Sequence, residues 1–188
     1  MSQKSTKFDE FASLFRSVVR PHLEVAPLPL KRLLVVMDFQ GQPERAQGAH
    51  QLAQDITDAF KTETRLLCPL RKAGEVLAKA QSDCDALRDT IQAKGGSVSA
   101  KVDVGHPATQ ILEEIDSFEP DLIVIPNLFG EKDEQLEGFS LGAVVDKVLS
   151  STSRPILLLE GPIHDTSALW SDILIFVEEA GTAERCLA

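Results

Sequence analysis

Short, uninterrupted apolar runs separated by longer amphipathic stretches set the plan of the chain. Leu33 to Met37 is apolar at every position and ends at Asp38, as a strand buried on both faces of a parallel sheet does. Asp121 to Ile125 and Pro155 to Leu159 read the same way, and Thr64 to Leu70 forms a second strand expected to be stopped by Pro69. Val98 to Val104 alternates instead, and beside continuous neighbours that alternation marks an edge strand. The intervening segments have helical spacing. Gln40-Gly41-Gln42-Pro43 turns the chain into a helix running to about Lys61, Ala73 to Lys94 forms a long helix ended by Gly95-Gly96, and Gly105-His106-Pro107 opens a third through about Phe118. A last helix begins near Ser140 and Gly142. Strands alternating with helices predict a three-layer αβα sandwich around a five-stranded parallel sheet, Rossmann-like in plan, because right-handed crossovers place helices on both faces. Strand order does not follow from this pattern.

Two flanking segments fall outside that frame. Phe8, Phe11, Ala12, Phe15, Val18 and Val19 recur at helical spacing before Pro21, and the proline-rich Pro21 to Leu30 reads as a linker. At the other end, Ser171 to Ala188 repeats the first strand and turn at a fixed offset of 140 residues: Leu174 falls on Leu34, Gly181 on Gly41, Glu184 on Glu44 and Arg185 on Arg45. A period this long implies tandem domains. The expected organisation is an N-terminal helix and linker over 1–30, a complete module over 31–162, and a linker with the opening strand and turn of a truncated second module over 163–188. Ile173 to Val177 is expected to add to a sheet edge, since a lone strand leaves apolar surface exposed at about 1.5–3 kcal/mol per large side chain.

Composition narrows the function classes. The 188 residues carry 29 Asp plus Glu against 19 Lys plus Arg, a net charge of −10, which opposes binding to a nucleic-acid backbone. No apolar run approaches the roughly 20 residues of a membrane span, so direct membrane insertion is not expected. The N-terminus has the charges of Lys4, Lys7, Asp9 and Glu10 and no apolar core of a signal peptide. Cys68, Cys84 and Cys186 show no metal-ligand spacing and read as reduced thiols of a cytoplasmic protein.

The candidate chemistry concentrates in Glu119 to Leu149. A strand there runs into a polar loop with Gly130 and Gly138 and then a helix start, and such a mouth offers backbone N–H groups and a helix dipole to an anion. Glu131, Asp133, Glu134 and Glu137 set negative charge in the same loop against Lys132 alone. Adjacent Glu113 and Glu114 project in different directions around a helix and make no acid/base pair. His106 reads as a helix-capping residue. The chain has no Ser-His-Asp order, HExxH or phosphate-binding P-loop, and an enzyme is not expected.

The succession LLVVMDFQG, VDVGHPATQILEEI, DLIVIPNLFG and FSLGAVVDKVLSSTSRPILLL closely resembles the universal stress protein (UspA-like) family over roughly Lys31 to Glu160. The resemblance implies sheet order 3-2-1-4-5, dimerisation through the last strand, and in many members an ATP site at the ends of the first and fourth strands. It implies ligand positions at Asp38, Asn127, Gly130, Gly142 and Ala143. Asp38 matches the family carboxylate that faces adenine or ribose, although a turn-stabilising acceptor is an equal reading of the residue. ATP-binding members carry glycine, two residues, glycine, nine residues, and glycine followed by Ser or Thr. Here the first glycine is replaced by Pro126, the strict second position holds Phe129 beside Gly130, Gly142 is retained, and Ala143 stands where a hydroxyl belongs. The expectation is therefore a non-catalytic regulatory or interaction module with no obligatory cofactor, acting as a homodimer or with a protein partner. The alternatives are a switch that binds ATP or AMP and the soluble regulatory region of a transporter.

Overall fold

The computed structural model describes residues 29–39, 43–127, 129 and 142–159. The expected N-terminal helix, Gly130, the acidic stretch Glu131 to Glu137, Cys186 and the repeat at Ser171 to Ala188 lie outside the described residues. The chain runs β1 (Arg32–Val36), α1 (Pro43–Phe60), β2 (Glu63–Leu70), α2 (Glu75–Ala93), β3 (Ser97–Val104), α3 (Pro107–Phe118), β4 (Leu122–Pro126), α4 (Ala143–Ser151) and β5 (Ile156–Leu159). All strand pairs are parallel, and the sheet order is β3-β2-β1-β4-β5. The expected sandwich and order are observed, with β3 at an edge.

The continuous apolar runs divide by period two between two cores, because successive side chains of a strand point to opposite faces. Leu33, Val35, Met37, Leu66, Cys68 and Val124 pack with α1 and α2 through Leu52, Ile56, Cys84 and Ile91. Leu34, Val36, Leu67, Ile123 and Ile125 pack with α3 and α4 through Ile111, Ile115, Val145 and Val148. Cys68 and Cys84 are free, fully buried thiols. Contact with Cys84, together with burial, pushes the Cys68 thiol well above its ordinary range.

The strand boundaries lie within one residue of expectation, and two of the strands contain a proline. Pro69 does not stop β2: it pairs with Asp103 of β3, and the strand continues to Leu70. Its missing N–H lies on the side of Leu67, whose carbonyl accepts the N–H of Met37 at 2.7 Å, where the ladder to β1 has already ended at Val36. No donor is wasted there. Likewise β4 begins at Leu122 rather than Asp121 and runs through Pro126, which pairs with Leu159.

Asp121 has a different task. Its Oδ2 accepts the backbone N–H groups of Lys31 and Arg32, each at 2.8 Å, and its own N–H donates to Arg32 O at 2.9 Å. Burial pushes this carboxyl up, but the two backbone donors outweigh burial and hold it below the ordinary range. The turn into β4 uses Glu119 in the left-handed conformation (φ 48°), and Gly95 (φ 85°) does the same after α2. Gly96 is required for another reason: a Cβ there would lie 2.6 Å from Ile91 Cγ2 and 2.9 Å from Thr57 Cγ2.

Candidate functional site

The topology defines where a ligand can enter. From β1 the chain crosses to β2 and β3 on one side, then returns over the sheet to β4 on the other, so strand order reverses between β1 and β4. Crossovers leaving such neighbours in opposite directions open a crevice at their carboxyl ends.

Asp38 stands just past β1 at that crevice and is buried to 1% exposure. It follows the fully buried Met37 and precedes Phe39, whose ring meets His50 edge-on at 5.8 Å. The opposite wall is the end of β4. Ile123 N–H donates to Pro155 O and Asn127 N–H donates to Leu159 O at 2.7 Å, so residues 123, 125 and 127 turn their backbone groups toward β5. By alternation, residue 126 turns toward β1, whose pairing with β4 ends at Val35 and Val124. A residue with an N–H would present it to the crevice. Pro126 has none. The structure thus assigns the N–H of Asn127 to the sheet rather than to a ligand.

Phe129, at the strict second glycine position, is buried to 3% among the apolar side chains of the α3 and α4 face. Phe129 thus puts a bulky, core-packed side chain where the motif has a glycine with none. Gly142 is intact in conformation as well as identity. Its φ of 87° is one that only glycine adopts without strain, and its carbonyl accepts the N–H of Asp146 at 2.9 Å at the start of α4. Ala143 is exposed and carries no hydroxyl. Asp38, Asn127, Gly142 and Ala143 therefore share the carboxyl end of the sheet, while Gly130 lies outside the described residues.

Ala143 also opens onto a second cleft, of about 620 Å³, bounded by Arg71 after β2, Gly105 and His106 before α3, and Val144 and Lys147 of α4. Arg71 and Lys147 escape a reading confined to the glycine motif. The signal that finds them is a cation placed just after a strand end or within the first turns of the next helix. His106 is the residue preceding α3, extended in backbone, and its side chain makes no cap hydrogen bond.

A third group is also missed by the sequence. Glu114, 3% exposed, receives Arg65 from β2 in an ion pair and Lys101 from β3 at 3.1 Å, and Arg65 stacks over the Phe118 ring at 4.1 Å. Burial pushes the Glu114 carboxyl up, but the hydrogen bonds from Arg65 and Lys101 prevail and hold it below the ordinary range. Lys101 is raised in turn, chiefly by its bond to Glu114. This cluster fastens α3 to the sheet and opens onto neither cleft. On the opposite face a groove of about 350 Å³ between α1 and α2 includes His50, whose Nε2 has no partner among the described residues. Burial lowers the His50 pKa, partly opposed by Asp83. No group of three His, Cys, Asp or Glu suited to a metal ion occurs among the described residues, and no helix among them is long and apolar enough to cross a membrane.

The sequence model of the universal stress protein family matches residues 29–160. A search of curated proteins found no match. Among solved structures, UspA from Lactobacillus plantarum is 15% identical with a TM-score of 0.57, the match covering 71% of this chain and 99% of that one. A universal stress protein solved in complex with cAMP is 19% identical with a TM-score of 0.53, covering 70% of this chain and 98% of that one. The universal stress protein from Archaeoglobus fulgidus solved with dAMP is 15% identical with a TM-score of 0.53, covering 71% and 100%. These likenesses show the fold.

Proposed function

Because the chain belongs to the universal stress protein family, we propose that it is a non-catalytic regulatory module whose nucleotide crevice has lost its hold on a triphosphate and whose main work is interaction with another protein or a second copy. The observation that carries this reading is Pro126. It occupies the one position at the end of β4 whose backbone faces the crevice at β1, and it removes the donor there. Phe129 in the core and Ala143 at the start of α4 take away two further phosphate contacts. Assembly would use β5, an edge of the sheet among the described residues, where Ile156, Leu157 and Leu158 are only half-buried. A cytoplasmic location accords with the buried free thiols Cys68 and Cys84.

A second reading has its own support. Asp38 keeps a buried carboxylate at the crevice, and two structural neighbours were solved with adenine mononucleotides, cAMP and dAMP. On this reading the crevice takes an AMP-like ligand that sets partner affinity. Calorimetry with ATP and Mg²⁺, and separately with AMP, tests both. The first reading predicts no saturable heat with ATP up to millimolar concentration, and micromolar ATP binding would refute it. The second requires saturable AMP binding that weakens in Asp38→Asn.

A further inference from the structure

Two helix faces meet across the groove of about 350 Å³ between α1 and α2. Positions 47, 50, 51 and 54 of α1 and positions 83, 86, 87 and 90 of α2 line it, each set at the spacing i, i+3, i+4, i+7 that puts residues on one side of a helix. The groove therefore runs about 10 Å along the helices. None of these residues belongs to the crevice, to the glycine positions or to β5.

Hydrogen bonds within the helices decide what the groove has left to offer. Gln51 Nε2 donates to both carboxylate oxygens of Asp55, at 3.1 and 3.2 Å, which leaves Oε1 as its unused end. Thr90 donates its hydroxyl to Ala86 O at 2.8 Å and keeps its oxygen as an acceptor. Asp83 adds a half-buried carboxylate with no ion pair among the described residues. Gln54 is the exception: its Oε1 accepts Lys94 Nζ at 3.3 Å, and its Nε2 is left as a donor.

His50 supplies an independent sign. It lines the groove, yet its Nε2 is closed off from water and has no hydrogen-bond partner among the described residues. Buried polar atoms are ordinarily paired, so this one marks a place where a partner is missing. Burial favours the neutral ring against the pull of Asp83, and a neutral imidazole keeps one nitrogen as an acceptor. No lysine or arginine occurs among the described lining residues. Of the cations along α2, Arg88 is paired with Asp85 and Asp89, and Lys94 caps the far end of the helix, roughly 16 Å along its axis from Asp83. The groove thus has an acidic, acceptor-rich end at Asp83 and His50, and an end at Gln54 and Thr90 where one donor and one acceptor match a peptide group.

We propose that this groove binds an arginine residue of a partner protein, its guanidinium on Asp83 beside His50 and its peptide group between Gln54 and Thr90. A guanidinium suits the acidic end better than an ammonium does, because its planar fork matches a carboxylate and its weaker hydration tolerates the buried Leu87 alongside. The net charge of −10 draws a basic partner toward the chain. The inference rests on the groove alone and is independent of what the crevice binds.

Nuclear magnetic resonance titration of the full chain tests it, with the peptide acetyl-Gly-Arg-Gly-amide, the same peptide carrying citrulline, and methylguanidinium as separate probes. The arginine peptide is expected to give saturable shifts confined to residues 47–54 and 83–90, including the His50 ring. Citrulline, which keeps the shape and removes the charge, should bind about fivefold more weakly, and Asp83→Asn should weaken the arginine peptide to a similar degree. Glu113→Gln, the same charge change at an exposed position of α3, should leave the affinity within about twofold of the parent, which separates a local site from general attraction. Methylguanidinium should compete with the peptide more weakly than the peptide binds, since it lacks the peptide group. Absence of saturable shifts at tens of millimolar peptide overturns the proposal. Equal affinity for the arginine and citrulline peptides, for the peptide and methylguanidinium, or for the parent and Asp83→Asn, overturns it as well.

Discussion

The two ends of the sheet are built on opposite terms. At the amino ends of the strands the described turns are short and several of their polar groups are bonded within the fold. Asp121 fastens β1 to β4 through two backbone N–H groups at 2.8 Å, and Thr57, Thr62 and Thr64 form a buried hydroxyl chain at 2.6 and 2.8 Å. Gly96 packs so closely that a single methyl group does not fit. At the carboxyl ends the ladders part. Prolines 69 and 126 sit on the two strands flanking β1 with their missing donors turned toward its end, and clefts lie between the helix starts. One fold thus keeps its stability at one end and leaves chemistry to the other, and change at the open end costs the fold little.

That contrast gives graded expectations. Gly96→Ala, at the closed end, should cost about 1–3 kcal/mol by overpacking Ile91 and Thr57, read as a shift in urea midpoint with unchanged slope. Glu114→Gln should cost about 1–3 kcal/mol, at the lower part of that range because Arg65 and Lys101 are partly exposed and can turn to water. Asp121→Asn should cost about 1 kcal/mol, because half of the carboxylate's charge-assisted bonding is to exposed backbone. Its signature is in the pH dependence. Both carboxyls are held below their ordinary range, so their contribution is present above the unfolded-state pKa and is lost as pH falls through the folded value. Stability measured from pH 7 down to pH 3 should fall less steeply in Asp121→Asn and Glu114→Gln than in the parent, and parallel curves would remove the electrostatic role assigned to them. Arg71→Ala and Lys147→Ala, at the open end, should change stability by less than about 0.5 kcal/mol. A larger loss at these cations than at Asp121 would reverse the comparison.

The closed end and the frame were legible in the sequence because they rest on periodicity and turn chemistry. Continuous apolar runs located β1, β4 and β5, alternation located the edge strand β3, and Gly95 and Pro107 marked helix limits. Strand order came from the family resemblance, since no pattern within a strand states its neighbours. Pro69 was expected to stop β2 and does not, because the cost of a missing donor depends on which neighbour the N–H would face, and that is a property of the assembled sheet. The Arg65, Lys101 and Glu114 cluster was hidden for a similar reason: its members come from two strands and a helix, separated by 36 and 13 residues. Of the expected ligand positions, the structure redirects the backbone donor of Asn127 to β5 and keeps Gly142 in a conformation reserved for glycine. The cations of the second cleft carry no motif, and only the convergence of three loops brings them together.

The central claim is that the crevice at β1 and β4 is disabled by identifiable residues at an otherwise intact open end. The most direct measurement is the ratio of ATP dissociation constants, with Mg²⁺ present, between the parent chain and Pro126→Gly combined with Ala143→Ser, which returns a backbone donor and a hydroxyl. At least a tenfold tighter ATP complex in the double variant, with its unfolding midpoint within a few degrees of the parent, is the predicted result. Equal affinity in the two proteins, with the parent already binding ATP in the micromolar range, would contradict it.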